Sequence, residues 1–143
     1  MSKTPYHGEV VIYADGSTMP ERSGAGVIVV DSKGHVITMV NRTLPVMTSN
    51  EAEYAALHLA LETAVALRTN IIEIRMDNEV VVYQMSGRFA VNSPRLKCWH
   101  QQACELARRL KLVRYTHIPR KYNNIADALA TEASAGRSWR MVE

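Results

Sequence analysis

Nearly continuous apolar runs near the N-terminus predict three β-strands in succession. Residues 8–14 read G-E-V-V-I-Y-A, a run typical of a central strand that is covered on both faces. Residues 24–31 (G-A-G-V-I-V-V-D) predict the second strand, and residues 35–41 predict the third. Because only the short turn 32–34 separates the last two runs, we expect the three strands to form an antiparallel meander.

Helical and strand patterns then alternate. Thr48 and Ser49 can cap a helix that runs to about Arg68 with Ala and Leu at helical spacing. The later pattern predicts a strand over 71–76, a short helix over 78–86, a longer helix from Pro94 to about Leu110, a strand over 112–118, and a last helix from Asn123 or Asn124 to about Ser134. This order predicts an α/β fold, with a five-stranded mixed sheet and helices on both faces. The sheet has an antiparallel three-strand start and two further parallel strands.

Length and composition narrow the class of protein. The 143 residues fit one domain over 1–143, and 47% hydrophobic with 22% charged residues excludes a largely disordered chain. No apolar run approaches the roughly 18 residues that a membrane-spanning helix needs. Residues 1–8 are polar, so we expect no secretory signal, no membrane contact and a cytoplasmic location. The tail after Gly136 is polar, and we expect it to be loose.

Positive charge is concentrated in one segment. The net charge is +3, yet residues 88–121 hold nine cations against the single acid Glu105 and so carry +8, which leaves −5 for the rest. Such a segment is typical of a protein that binds a polyanion. A solvated helix face explains it equally well.

Four acidic residues stand where a site could form. Asp15 ends the first strand, Asp77 follows the strand over 71–76, and Asp127 lies in the first turn of the last helix. Open α/β sheets bind ligands at strand ends. Glu53 shares its helical row with apolar residues, which predicts that its side chain points into the protein.

Each of these acids also has a purely structural interpretation. Asp15-Gly16 is a strong turn signal, and Asp77 can cap the helix that follows it. Asp127 can form a capping pair with Asn124, and Glu53 can simply favour the helix dipole. Four carboxylates on one rim repel one another, however, and a divalent cation is the usual compensation. An all-oxygen set suits Mg²⁺ or Mn²⁺, and a pair of such ions about 4 Å apart is typical of phosphodiester hydrolysis, so these residues indicate a metal-dependent nuclease.

Five motifs, taken in their order and spacing, resemble ribonuclease H of type 1 over nearly the whole chain. They are Y-A-D-G-S (13–17), G-A-G-V-I-V (24–29), T-S-N-E-A-E-Y-A-A-L (48–57), M-D-N (76–78) and H-I-P-R-K-Y-N-N-I-A-D-A-L-A (117–130). The five-stranded sheet of that family agrees with the pattern above. The resemblance implies an endoribonuclease that cuts the RNA strand of RNA–DNA hybrids and leaves 5′-phosphate and 3′-hydroxyl ends. It also implies two Mg²⁺ ions, for which Mn²⁺ can substitute.

The resemblance assigns roles to the acidic residues. Asp15 would bridge both ions, and Asp127 would complete the site of the ion that activates water. Glu53 and Asp77 would hold the ion on the leaving-group side. His117, ten residues before Asp127, matches a histidine that helps proton transfer and product release. As the end of a predicted strand, His117 is equally explained by packing at the sheet edge.

Contacts with substrate follow from the same resemblance. Asn50 and the backbone near Gly16 and Ser17 would lie beside RNA 2′-hydroxyls, the groups that distinguish RNA from DNA. Thr48 matches a residue that binds a phosphate of the DNA strand. Asn123 matches an asparagine close to the active site, although capping of the last helix would also explain it. Contacts of this kind read sugar and backbone, so we expect little sequence preference.

The chain departs from the family pattern in three places. Asn78-Glu79 follows the third carboxylate where serine is common, and the extra acid either changes metal preference or pH response or faces solvent. Residues 87–94 are too few for the basic loop of some members, so hybrid affinity would rest on the helix that carries Arg95 and Lys97. We also expect no separate hybrid-binding domain before the catalytic part. The start at Met1 favours a free-standing enzyme over part of a polyprotein, and we expect a monomer with no obligate protein partner.

Other functions remain open on the sequence. An inactive relative that only binds nucleic acid is disfavoured because all four carboxylates are present. A junction resolvase or exonuclease of the same superfamily is disfavoured by the D-G-S and N-x-A-E-Y spacings. A dinucleotide-binding oxidoreductase is disfavoured because residues 24–26 (G-A-G) lack a third glycine and lead into a strand.

Overall fold

The computed structural model describes residues 8–138, and their centre is a five-stranded sheet in the order β3-β2-β1-β4-β5. The antiparallel meander consists of β1 (Val10–Thr18), β2 (Ser23–Asp31) and β3 (Val36–Leu44). The strands β4 (Ile71–Met76) and β5 (Leu112–His117) add in parallel to β1. The predicted mixed sheet is therefore confirmed. Most of the predicted loose tail and of the polar N-terminal segment lies outside the described residues.

The helices of the described chain follow the predicted order. They are α1 (Ser49–Ala66), α2 (Glu79–Met85), α3 (Pro94–Ala107) and α4 (Asn124–Ser134). A short 3-10 turn at Arg120–Tyr122, which the sequence pattern did not indicate, leads from β5 into α4. Within residues 8–138 no helix has the length and apolar character that a membrane crossing requires.

The helices lie on both faces of the sheet. Helix α1 packs against β1 and β2 on one face, with α3 on its outer side, and α4 packs against the meander on the other. Since α1 is covered by the sheet and by α3, its side chains are buried nearly all round, as Tyr54, Leu57 and Leu61 show. Packing against the sheet and against α3 holds α1 in place, and with it the residues of its first turn.

The end of β1 differs from the sequence prediction in a way that matters for function. Strand β1 continues through Asp15 and Gly16 to Thr18, because β2 pairs with it along its full length, from Asp31 back to Ser23. The chain reverses over residues 19–22 instead, where the Met19 amide donates a hydrogen bond to the Arg22 carbonyl at 3.0 Å. The interpretation of Asp15-Gly16 as a turn is therefore wrong.

Candidate active site

Strand register brings Asp15 and Asp77 to one level of the sheet. Strand β4 pairs in parallel with β1, with Tyr13 opposite Arg75. Two residues further along each strand, the chain reaches Asp15 in β1 and Asp77 just after β4. Asp15 is buried, with 6% of its surface exposed, whereas Asp77 is half-buried.

Glu53 reaches the same place from the first turn of α1. The helix comes down directly on Gly16, where a Cβ atom would lie 2.5 Å from the carbonyl of Ala52. This close approach places the Glu53 carboxylate against β1, where Oε1 accepts a hydrogen bond from the Gly16 amide. Glu53 is buried and does point into the protein. Gly16 is therefore necessary for the position of Glu53, because any side chain there would push α1 away.

Asp127 comes from the opposite face through a similar close approach. Helix α4 lies on Gly26, the residue that pairs with Asp15, and a Cβ atom on Gly26 would lie 2.4 Å from the carbonyl of Ala126. The next residue, Asp127, lines the same cleft as Asp15 and contributes, after burial and the other acids, to the raised pKa of Asp15. Helix α4 begins after Asn123, so Asn124 is its first residue rather than its cap, and a capping pair of Asn124 with Asp127 is not formed.

The capping interpretations of Asn123 and Asp77 are also wrong. The Asn123 side chain makes no capping hydrogen bond to α4, and its Nδ2 instead donates to the Ala14 carbonyl of β1 at 3.0 Å. The cap of α2 is Asn78, whose Oδ1 accepts from the Val81 amide at 2.9 Å, and this leaves the Asp77 carboxylate free. Asn78 also donates from Nδ2 to Asn50 Oδ1 at 3.2 Å.

The carboxylates form an electrostatically unbalanced cluster. One oxygen from each of Asp15, Glu53 and Asp77 lies within 4.8 Å of the others. Burial, followed by the charges of Glu53 and Asp77, raises the pKa of Asp15 to about 10. Burial also raises the pKa of Glu53, although the Asp15 and Gly16 hydrogen bonds oppose the shift. A set of oxygen donors that repel one another at this range fits a divalent cation such as Mg²⁺ or Mn²⁺.

The carboxylates line a cleft of about 480 Å³. Gly16 and Ser17, predicted to contact substrate, also line it, as do Arg120 and Thr131. Sequence reasoning counted Arg120 in the basic segment but did not assign it to the site. The available signal was its place directly after the last strand, where open α/β sheets form their sites.

Thr48 and Arg95 lie outside this cleft and meet at Glu51. Thr48 caps α1, and its hydroxyl donates to Glu51 Oε1 at 3.1 Å while accepting from the Glu51 amide. Arg95 lies 3.5 Å from the same oxygen, and the Trp99 indole donates to Glu51 Oε2 at 3.1 Å. Lys97 is exposed on α3. Glu51 therefore joins α3 to the start of α1.

His117 also lies outside the cleft lining. It ends β5 opposite Met76, and its ring packs on Tyr83 of α2 with 5.9 Å between ring centres. The structure therefore shows the packing at the sheet edge that the sequence allowed. Glu79 is exposed in the first turn of α2, so of the two residues that depart from the family pattern only Asn78 borders the cleft.

Comparison with known proteins agrees with this fold. A model of the family described as reverse transcriptase-like matches residues 14–133. A ribonuclease HI of Halobacterium salinarum is 36% identical over 128 residues, which cover 88% of this chain and 64% of that protein. A bifunctional protein of Mycobacterium tuberculosis is also 36% identical, over 87% of this chain and 35% of its own length. The chain thus spans less than two thirds of the length of these relatives.

Solved structures match with similar strength. The crystal structure of the RNase H1 from Halobacterium salinarum gives a TM-score of 0.86 at 34% identity, over 90% of this chain and 99% of the other. The structure of LC11-RNase H1 in complex with an RNA/DNA hybrid gives 0.84 at 31% identity, over 89% and 97%. With the family match and the sheet order, these similarities show that the chain belongs to the reverse transcriptase-like family, with the fold of ribonuclease H type 1.

Proposed function

We propose that this chain hydrolyses the RNA strand of RNA–DNA hybrids and leaves 5′-phosphate and 3′-hydroxyl ends. The observation that carries the proposal is the cluster of Asp15, Glu53 and Asp77, with Asp127 in the lining of the same cleft. The ribonuclease HI of Halobacterium salinarum and the RNase H1 structure with a bound hybrid support it as relatives.

The four carboxylates would hold two Mg²⁺ ions. Asp15 would serve both ions, because its carboxylate lies in the cluster with Glu53 and Asp77 and lines the same cleft as Asp127. When bound, such ions supply an activated water and stabilise the leaving oxygen of a phosphodiester. The chain itself fixes the ligands: the Gly16 amide orients Glu53, and the Asn123 amide supports β1 one residue before Asp15.

The remaining residues would bind the hybrid. Arg120 brings a positive charge to the cleft, where a phosphate of the RNA strand would lie. Asn50, whose Oδ1 accepts a hydrogen bond from the cleft residue Asn78, would meet 2′-hydroxyls.

Three further substrate contacts and a role for His117 complete the proposed site. Thr48, Arg95 and Lys97 would face the DNA strand. His117 would assist product release, which requires its ring to leave Tyr83. We expect these residues to contact the sugar–phosphate backbone of the hybrid rather than its bases.

A labelled hybrid tests the proposal directly. With Mg²⁺ the protein should cut the RNA strand only, and EDTA should abolish the cutting. Asp77→Asn should also abolish it, because one ligand oxygen loses its charge. Glu79→Gln is the matched control: it makes the same acid-to-amide change two residues away on an exposed side chain, and it should keep full activity.

The outcomes separate this function from the alternatives. Tight binding of the hybrid without cutting in Mg²⁺ or Mn²⁺ would favour a module that only binds nucleic acid. Cutting of both strands, or preference for a branched DNA substrate, would favour a different nuclease of the same superfamily. Equal activity of Asp77→Asn and the native chain would contradict the carboxylate site itself.

A further inference from the structure

The carboxylate of Glu51 lies in the first turn of α1, where four hydrogen-bond donors converge on it. Oε1 accepts from the amide and from the hydroxyl of Thr48, both at 3.1 Å, and Arg95 reaches the same oxygen at 3.5 Å. Oε2 accepts from the indole of Trp99 at 3.1 Å. The Glu51 side chain is 12% exposed, whereas Arg95 beside it is 67% exposed. Donors grouped in this way bind an anion, and here that anion is a carboxylate of the chain itself.

Both hydrogen-bond donors of Thr48 are used by Glu51. A threonine has one polar hydrogen on its backbone amide and one on its hydroxyl. Thr48 donates both to Glu51 Oε1, and its hydroxyl oxygen in turn accepts from the Glu51 amide at 3.3 Å. A phosphate at this position can therefore receive a hydrogen bond from Thr48 only after Glu51 has given that hydrogen up.

A phosphate of the DNA strand would also meet the negative charge of Glu51. The two anions repel each other, and the repulsion is strengthened where water is partly excluded, as the low exposure of the Glu51 side chain indicates. Arg95 can serve both anions more easily than Thr48, because a guanidinium has five donors and one of its nitrogens contacts Glu51. The carboxylate and a phosphate would therefore compete for one set of donors.

We propose that Glu51 determines the affinity for the hybrid by competing with a DNA-strand phosphate for Thr48 and Arg95. In the free protein the carboxylate holds these donors. When a hybrid binds, its phosphate takes the hydrogen of the Thr48 hydroxyl, and Glu51 releases that hydrogen while its charge remains close. The competition keeps binding of the hybrid weaker than the donors alone would allow. This inference rests on the proposed contact of Thr48 and Arg95 with the DNA strand, and it concerns affinity rather than cleavage of the phosphodiester.

The opposite role for Glu51 would be that of a positioning residue. It would then hold Thr48 and Arg95 ready for the phosphate, and its removal would weaken binding of the hybrid. The use of both Thr48 donors favours competition, because a residue that prepared Thr48 for a phosphate would leave the hydroxyl hydrogen available. The two roles predict opposite signs for the same substitution.

Binding of a labelled hybrid in EDTA and low salt tests the sign without cleavage. Glu51→Gln keeps an acceptor oxygen and removes the charge, so it should lower the dissociation constant by about fivefold, the effect of one hydrogen bond gained. Glu79→Gln removes the same charge from an exposed acid in the first turn of α2, and as the matched control it should change binding little. Trp99→Phe keeps a ring but removes one donor to Glu51, so it should tighten binding to a smaller extent. Circular dichroism checks that each variant is folded.

A double-mutant cycle tests whether Thr48 is the shared donor. Thr48→Ala should change the dissociation constant little while Glu51 holds the hydroxyl, and it should weaken binding several-fold in the Glu51→Gln background. In Mg²⁺, Glu51→Gln should lower KM and leave kcat nearly unchanged. Weaker binding by Glu51→Gln, an equal gain in Glu79→Gln, or the same effect of Thr48→Ala in both backgrounds would each overturn the proposal. None of these outcomes bears on the hydrolysis itself, which fails only if the native chain leaves the RNA strand uncut in Mg²⁺.

Discussion

Two buried or half-buried acids on neighbouring strands have opposite surroundings. Glu73 of β4 accepts hydrogen bonds from Arg75 at 3.1 Å and Thr116 at 2.7 Å. Burial opposes ionisation there, but these bonds hold the pKa of Glu73 below its ordinary value. Asp15 of β1 meets other acids instead, and burial together with their charges raises its pKa. The protein balances the first charge with its own residues, whereas a bound cation would balance the second.

The largest expected effect is the loss of RNA hydrolysis when the negative charge of Asp15 is removed. Asp15→Asn should lower the rate of RNA cleavage in Mg²⁺ by about 10³-fold or more, because metal ligation contributes several kcal/mol to the transition state. Initial rates on a labelled hybrid measure the change. Glu73→Gln, the same chemical change in the balanced cluster, should leave the rate unchanged, and a similar loss in both variants would remove the distinction.

Without metal, the same cluster should make stability fall as the pH rises. The pKa of Asp15 is raised in the folded state, so the folded chain holds a proton that the unfolded chain has lost. The resulting decrease in the free energy of unfolding is at most about 1.4 kcal/mol per pH unit for this one group. Urea unfolding in EDTA across the neutral range measures the slope. Asp15→Asn should flatten it, and an unchanged slope would contradict the shifted pKa.

A smaller effect should follow from lifting α4 off the sheet. In Gly26→Ala the new Cβ would lie 2.4 Å from the Ala126 carbonyl, so the helix must move, at a cost of about 1–3 kcal/mol. Cleavage should fall as well, because Asp127 follows directly. Gly8→Ala is the control, since a Cβ there meets nothing within 4 Å. Equal thermal midpoints for the two variants would show that the close approach is not required.

The smallest effect is expected in the balanced cluster. Glu73→Gln should lower the free energy of unfolding by up to about 1 kcal/mol at neutral pH, because a partly exposed ion pair contributes little. Since the folded-state pKa of Glu73 is lowered, its contribution is present above the ordinary carboxyl pKa and is lost as the pH falls. Unfolding curves of variant and native chain should therefore converge in acid.

Local signals account for what the sequence could predict. Strand β4 has the predicted bounds, because its alternation of apolar and charged residues between polar flanks can be recognised without a distant partner. The continuation of β1 through Asp15-Gly16 was missed because it depends on pairing with β2, which overrides the turn preference of that dipeptide. Gly26 was assigned to the second strand and to a family motif, but the reason for a glycine there, the close approach of α4, is a contact that only the fold reveals. The contacts of Glu51 could not be predicted for the same reason, since Arg95 and Trp99 reach it from another helix.

The wide spacing of the acids along the chain has a consequence for folding kinetics. Asp15 and Asp127 meet across more than a hundred residues, and only after β4 and α4 have docked on β1. Repulsion among the carboxylates therefore arises late, when most of the native surface is already buried. Asp15→Asn in metal-free buffer should accordingly slow unfolding and leave the folding rate nearly unchanged. For the native chain, a bound cation would mainly lower the unfolding rate.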